Sequence, residues 1–154
     1  MRLSRYTDYA LRVLLYLGAR PGSLSSVATI AAAYGISQNH LTKVVHDLGK
    51  AGYVTSVRGR SGGIELGRDP AAINIGAIIR HSETDLQMFP CPDCLILPAC
   101  SLASVVDEAL AAFLAVLDRY TLADLLDQRI DGLRRLFDLP PASLPTAAPL
   151  KDSA

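Results

Sequence analysis

The sequence of 154 residues has no tryptophan, and aromatic residues make up only 6% of it. Charged residues are also few, at 19%, and no stretch reaches the roughly 18 uninterrupted apolar residues that a membrane-spanning helix needs. Half of the chain is nevertheless hydrophobic, so it can bury a core and is not a disordered chain. Because this apolar half is mainly Ala, Leu, Ile and Val, the composition favours one helical domain without a membrane span.

Only three cysteines occur, and all lie within ten residues, at Cys91, Cys94 and Cys100. An odd number excludes a fully paired set of disulfides within one chain. The apolar run near the N-terminus does not fit a secretory signal, because Asp8 and Arg12 make it amphipathic. We therefore expect a cytoplasmic protein whose clustered thiols serve metal or redox chemistry.

Little in the sequence suggests catalysis. We find no phosphate loop, no Ser/His/Asp arrangement and no paired-carboxylate site, so no enzyme activity is expected. The formal net charge is zero, which taken alone argues against nucleic-acid binding. The charges are divided, however: residues 1–68 carry nine Lys/Arg against three Asp/Glu (+6), and residues 69–154 carry six against twelve (−6). A basic first half joined to an acidic second half indicates a module that binds a polyanion.

Hydrophobic periodicity and turn residues predict a mainly α-helical fold with one β-hairpin. Ser4 or Thr7 can cap the first helix, and Ser37 is expected to cap the third. Thr121 with Asp124 resembles a capping pair for a short final helix. The predicted helices are 4–19, 26–34, 37–51, 73–80, 101–120 and 122–137, and the predicted strands are 53–57 and 64–66, joined by RGRSGG.

The order helix, Gly-Ile-Ser turn, helix and hairpin is that of a winged helix-turn-helix. In this arrangement the helix after the turn enters the major groove of DNA, and its first residues meet base edges. Those residues are polar here, and the hairpin loop carries cations that suit phosphates or a minor groove. The alternative is an ordinary solvated helix start and an ordinary loop, and the charge division favours DNA. The candidate DNA contacts are Ser37, Gln38, Asn39, His40, Lys43, Arg58, Arg60 and Ser61.

The second motif is CPDCLILPAC, which contains all three cysteines. Thiolates are soft ligands that prefer iron–sulfur clusters, zinc or copper(I). Three of them in a Pro-containing loop can converge on one centre, but a four-ligand site still lacks one ligand. A redox Cys-x-x-C pair and unliganded cysteines are the alternatives. The fourth ligand could come from a small molecule, a partner chain or one of four side chains: Asp8, Asp93, His81 and Glu83.

Several segments resemble the Rrf-type winged-helix iron–sulfur regulators. The shared segments are SRYTDYALR, YGISQNHLTKVV, the wing AGYVTSVRGRSGGIELG and a three-cysteine loop before a long helix, and the match runs from Met1 to about Phe137. Within this family, YGISQNH, LPAC and FLAVLDRYTLADL are most similar to the members that sense nitric oxide. One departure is that only Pro92 and Asp93 separate the first two cysteines, where the family usually has more residues.

The resemblance implies a homodimeric repressor that binds a palindromic operator in double-stranded DNA and responds to nitric oxide. It implies an iron–sulfur cluster, [4Fe-4S] in preference to [2Fe-2S], held by Cys91, Cys94 and Cys100. Asp8 of the partner subunit stands in the position of the fourth ligand. We expect the helix over 101–120 to bury its apolar stripe against the same helix of the second copy.

This interpretation divides the chain into a winged helix-turn-helix domain (1–83), a cysteine loop for cluster binding (84–100), a dimerisation helix with a short final helix (101–138) and a disordered Pro/Ala tail (139–154). Two other hypotheses stay open, namely an iron- or redox-responsive cluster regulator and an interaction module pinned by zinc. A thiol-redox enzyme is less favoured, because Asp85 and Asp93 lie in the loop and no neighbouring cation lowers a thiol pKa.

Overall fold

The computed structural model describes residues 3–86, 94–127 and 130–137. Over these residues the chain is mainly helical and has one two-stranded antiparallel sheet. The order of the first five elements confirms the predicted winged helix-turn-helix. The helices are α1 (Arg5–Gly18), α2 (Val27–Tyr34), α3 (Gln38–Lys50), α4 (Ile75–Ser82), α5 (Leu102–Leu117), α6 (Leu122–Asp127) and α7 (Ile130–Leu136), and the strands are β1 (Val54–Val57) and β2 (Gly63–Leu66).

Serine side chains begin the first two helices. Ser4 Oγ accepts a hydrogen bond from the Thr7 N–H at 3.2 Å, and Ser26 caps α2 in the same way. α2 ends at Gly35, whose φ of 63° lies in the left-handed region that glycine enters without strain. The expectation for Ser37 is wrong, because its side chain makes no capping hydrogen bond.

The hairpin is attached firmly to the helical part of the domain. β1 and β2 pair Val54 with Leu66 and Val57 with Gly63. β2 also pairs with the segment before α2, where Ser25 and Ile64 exchange backbone hydrogen bonds of 3.0 and 2.8 Å. Strand β2 is therefore held by hydrogen bonds along both of its edges, and the loop extends from this fixed hairpin.

One hydrophobic core joins the winged helix-turn-helix to the segment that follows α5. Gly18 lets α1 and α6 approach closely, since a Cβ there would lie 2.7 Å from Leu126 Cδ1. The chain after α5 thus returns to the core of the first domain. The largest fully buried apolar side chains are Val13, Leu14, Ile30, Leu41, Val44, Leu48, Ile73, Ile78, Ile79 and Leu122.

The end of α5 is held against α4 by contacts from both ends of that helix. The Arg80 guanidinium donates two hydrogen bonds of 2.6 Å to the Asp118 carboxylate. The backbone N–H of Ile75 donates to the Tyr120 carbonyl at 3.0 Å. By contrast, none of the sixteen residues of α5 is buried within the described chain.

The helix predicted over 101–120 is shorter than expected, because α5 ends at Leu117 with Asp118 as its C-cap. Three other predicted segments also differ from the described ones. The helix predicted over 73–80 begins later, at Ile75, because Asn74 Oδ1 caps it by accepting from the Ala77 N–H at 2.9 Å. The single final helix predicted over 122–137 is described as two, α6 and α7, with residues 128–129 outside the description. The predicted tail over 139–154 also lies outside it. In the part of the chain that is described, no helix is long and apolar enough to cross a bilayer.

Candidate nucleic-acid interface and cysteine loop

The first turn of α3 presents polar side chains to solvent. Gln38, Asn39 and His40 are exposed, and so is Lys43 one turn later. The opposite face of the helix carries Leu41, Val44, Val45 and Leu48, which are buried. Burial of one face therefore fixes the other outward, as a helix that enters a DNA groove requires. Ser37, at the N-cap position, is exposed as well.

The wing loop places its cations at the end of the hairpin. Arg58, Arg60 and Ser61 are exposed. Gly62 is required in the turn, because a Cβ there would overlap the Val57 carbonyl oxygen. Gly59 adopts a φ of 126°, a conformation that other residues rarely take. The loop is thus a tight turn that exposes two guanidinium groups, which suits contact with DNA phosphates.

A side-chain network connects α3 to α1 and α4. The Tyr6 hydroxyl of α1 donates to Asp47 Oδ2 at 2.7 Å, and His81 Nε2 of α4 lies 2.8 Å from the same oxygen. The hydrogen bond from Tyr6 is the main cause that holds the pKa of Asp47 below its ordinary value, and the contact with His81 adds to it. The carboxylate of Asp47 is therefore ionised and joins three helices.

Glu83 makes a second connection directly after α4. Its Oε1 accepts hydrogen bonds from the Ser4 backbone N–H at 2.7 Å and from the Thr7 hydroxyl. Burial raises the pKa of Glu83, but these hydrogen bonds together lower it by more than burial raises it. The pKa therefore lies below the ordinary value. Glu83 thereby holds the first turn of α1 close to the start of the cysteine loop.

Of the three predicted cysteine ligands, two belong to the described residues. Cys94 is exposed and Cys100 is half-buried, and both are free thiols. A 3₁₀ turn, Leu97–Ala99, lies between them, and the side chain of Leu95 is 95% exposed. Cys91 lies outside the described residues, as does Asp93. Over the residues that are described, no three His, Cys, Asp or Glu side chains converge on a point that could hold a metal ion.

The described candidates for a fourth ligand differ in how strongly other side chains or backbone groups already engage them. His81 and Glu83 are engaged by Asp47 and by the start of α1, respectively. Asp8 is about half exposed and forms an ion pair of 2.8 Å with Arg12, one turn along α1. This is the surface pair that i, i+4 spacing favours, and its worth is only about 0.3–0.5 kcal/mol. Among the described candidates, Asp8 is thus the carboxylate whose present contact would cost least to break if it bound a metal.

Sequence reasoning missed the roles of Tyr6 and Asp47. These residues are 41 positions apart, and no local pattern connects them. The available signal was that Asp47 is the single acidic residue of α3, on a helix that also carries His40, Lys43, His46 and Lys50. A single carboxylate among basic residues indicates a specific interaction, which here is with Tyr6 and His81.

Comparisons with known proteins agree with this geometry. The chain is 51% identical over 142 residues to the HTH-type transcriptional regulator NsrR of Bacillus subtilis, covering 88% of this chain and 97% of the relative. It is 50% identical over 143 residues to the regulator of the same name from Geobacillus kaustophilus, covering 89% and 97%.

Among solved structures, that of T. potens IscR superposes with a TM-score of 0.68 at 32% identity, over 83% of this chain and 88% of the other. The structure of CymR, described as the global cysteine regulator of B. subtilis, superposes with a TM-score of 0.65 at 30% identity, over 83% and 98%. A family model described as Rrf2, iron-dependent transcriptional regulator, matches residues 3–128. The chain therefore belongs to the Rrf2 family of transcriptional regulators and is not an enzyme.

Proposed function

We propose that this protein is a DNA-binding repressor of the NsrR type, whose affinity for its operator is controlled by an iron–sulfur cluster that responds to nitric oxide. The observation that carries the proposal is the exposed polar turn of α3 beside a cationic wing, in a chain half identical to regulators named NsrR. Such a regulator acts on the chromosome, which places it in the cytoplasm. The winged domain (1–83) reads DNA, and the loop 84–100 responds to the signal. Within 101–138, α5 assembles the dimer, whereas α6 packs against α1 in the core.

The DNA-binding part follows from the outward face of α3. Gln38 and Asn39 have side chains that can donate to and accept from base edges in the major groove. Arg58 and Arg60 meet phosphates or a narrow minor groove. Ser37, His40, Lys43 and Ser61 complete the proposed contact surface.

The dimer rests on α5. Leu102 is 55% exposed and Val105 is 58% exposed, although both are large and apolar. They recur with Ala109, Phe113 and Val116 at spacings of three and four residues, which places them along one side of the helix. A second copy of α5 is the partner whose stripe matches in length and character, and a two-fold dimer would present two α3 helices to a palindromic operator.

The donor set of the loop suits an iron–sulfur cluster. Cys94 and Cys100 are free thiols, the first exposed and the second half-buried, and with Cys91 they supply three soft ligands. Asp8 of the partner subunit supplies the fourth, because it is exposed and held only by a weak ion pair with Arg12. When bound, the cluster supplies iron that reacts with nitric oxide. We favour [4Fe-4S] over [2Fe-2S] because of the similarity to NsrR.

The chain itself can carry the signal to DNA through α1. Asp8 lies on α1 within one turn of Tyr6, and Tyr6 is bonded to Asp47 on α3. A force on Asp8 therefore acts on the helix proposed to read bases through this hydrogen bond and through the core that α1 and α3 share. Glu83 connects the first turn of α1 to the segment that enters the cysteine loop. The two connections make α1 the element common to the sensing loop and the reading helix.

The test is anaerobic purification followed by absorption spectroscopy and metal analysis, before and after addition of nitric oxide. We expect a brown protein containing iron and sulfide, whose visible bands change with nitric oxide and whose operator affinity falls in parallel. Bands that respond to iron supply or oxidants but not to nitric oxide would favour an iron- or redox-responsive regulator. Colourless protein containing zinc would favour a zinc-pinned interaction module.

Asp8→Ala tests the fourth ligand against the surface ion pair seen in the single chain. The ligand hypothesis predicts an altered circular dichroism of the cluster bands and faster cluster loss in air. Arg12→Ala is the matched control, because it removes the same ion pair and keeps the carboxylate. If Asp8→Ala and the parent give superimposable spectra, Asp8 serves only Arg12.

A further inference from the structure

A cleft of about 250 Å³ separates the N-terminal half of α1 from α3. Two tyrosine rings and one valine give it apolar walls, and three nitrogen-bearing side chains stand among them. None of its lining residues is acidic. The lining consists of Arg5, Tyr6, Tyr9, His40, Lys43 and Val44.

The cleft borders the surface of α3 that is proposed to read bases. His40 and Lys43 are three residues apart and share one side of the helix. Gln38 and Asn39 lie in the turn where α3 begins, next to His40. A helix in the major groove has a sugar–phosphate backbone on either side of it. The side of α3 that faces α1 therefore comes next to one of these backbones.

The local charge is arranged for an anion. Arg5 and Lys43 are exposed, and they reach the cleft from two different helices. The nearest described carboxylate on α3, Asp47, is already engaged by the Tyr6 hydroxyl and by His81. The same hydrogen bond fixes the ring of Tyr6, so that one wall of the cleft is held in place.

We propose that this cleft takes one nucleotide unit of the DNA backbone, with the phosphate between Arg5 and Lys43 and the deoxyribose against the ring of Tyr9. The inference rests on the DNA binding proposed above and extends the contact surface from α3 and the wing to α1. Such a contact carries no sequence information. It positions α3 in the groove and makes α1, the helix that bears Asp8, part of the DNA interface.

The test compares Arg5→Ala with Arg20→Ala over a series of salt concentrations. Arg20 follows the last turn of α1, about 22 Å along the helix from Arg5, and donates to the Tyr16 hydroxyl instead. The probe is a duplex that the parent protein enriches from a random-sequence pool. Arg5→Ala should make the negative slope of log K against log salt less steep by about 0.9 for each bound protomer. This corresponds to roughly a fivefold loss of affinity per protomer at about 0.15 M salt, relative to any loss at 1 M.

A charge-conserving variant and sedimentation distinguish a phosphate contact from other roles of Arg5. Arg5→Lys should restore most of the slope, because a phosphate contact depends on charge, and Arg20→Ala should leave the slope unchanged. Equal slopes for Arg5→Ala and the parent would overturn the inference while leaving DNA binding intact. A parent that enriches no duplex would overturn both. A change in sedimentation by Arg5→Ala at unchanged slope would also overturn it and assign the cleft to a contact between copies.

Discussion

The Tyr6 hydroxyl donates a 2.7 Å hydrogen bond to the Asp47 carboxylate, and this bond joins the first helix to the helix proposed to read DNA. Burial of Tyr6 and the nearby carboxylate both raise the pKa of the phenol, so that it remains a donor at every physiological pH. The bond connects two helices that also share the hydrophobic core, so it adds a directional contact to their apolar packing.

Tyr6→Phe tests this bond with little change in volume. We expect a loss of about 1 kcal/mol of unfolding free energy, because the Asp47 carboxylate is partly exposed and water replaces part of the interaction. The measurement is the urea midpoint at unchanged m value. Tyr120→Phe is the control, since Tyr120 lies after the end of α5 and is an exposed residue. In an Asp47→Ala background, which has no side-chain acceptor for the Tyr6 hydroxyl, the effect of Tyr6→Phe should shrink, and an undiminished effect would assign it to something other than this pair.

Glu83 should make folding stability depend on acidity. Its folded pKa lies below the ordinary value of 4.5, so its contribution is fully present above that value and is lost as pH falls through the lower folded pKa. Glu83→Gln has no such titration. The difference in urea midpoint between parent and variant should therefore narrow as pH is lowered from about 6 to about 3. A difference that stays constant over this range would contradict the assignment.

Gly76→Ala should reverse the usual effect of replacing glycine in a helix. Alanine normally stabilises a helix relative to glycine by up to about 1 kcal/mol, but a Cβ at Gly76, the second residue of α4, would overlap Asp118 Oδ1, which Arg80 holds in place. We expect a net loss of stability, measured by thermal unfolding. Gly132→Ala on α7 is the matched control and should stabilise, because its Cβ meets nothing within 4 Å. Asp118→Ala should remove the penalty at Gly76, and a penalty that persists would exclude this clash.

The wing and the recognition helix should affect DNA binding differently. Arg60→Ala should weaken binding to all duplexes and reduce the salt slope by about one unit per lost phosphate contact. Asn39→Ala should instead change which bases are tolerated, at a cost of about 1–3 kcal/mol for the preferred base. Binding to a pool of operator variants at matched salt measures both effects. If both variants bind as the parent does, the proposed contact surface is wrong.

The local parts of the fold were predictable because they depend on neighbours in the sequence. Ser4 caps α1 through Thr7, three residues away, and Thr121 pairs with Asp124 over the same interval. Gly62 and its neighbours marked the wing turn. Ser37 shows the limit of this logic, since residue type placed it correctly at the N-cap of α3 but its side chain makes no capping hydrogen bond.

The connections between elements could not be predicted in the same way. Asp47 meets Tyr6 and His81 across 41 and 34 residues, and such pairs form only after the core has set the helices in place. The return of α6 to α1 depends on Gly18, which in the sequence looks like the ordinary end of a helix. For the cysteines, sequence spacing indicated soft-metal chemistry, whereas the engagement of His81 and Glu83 needed the folded chain to be seen.

If α5 pairs as proposed, its exposed apolar stripe makes the order of this helix depend on protein concentration. A helix of sixteen residues is only marginally stable in water on its own hydrogen bonds, and no residue of α5 is fully buried by the described part of a single chain. In the proposed dimer its order comes from the second copy, so mass action couples the stability of α5 to the amount of protein synthesised. Halving synthesis then lowers both the number of chains and the fraction whose two reading helices are paired, and repression falls off more steeply than protein level.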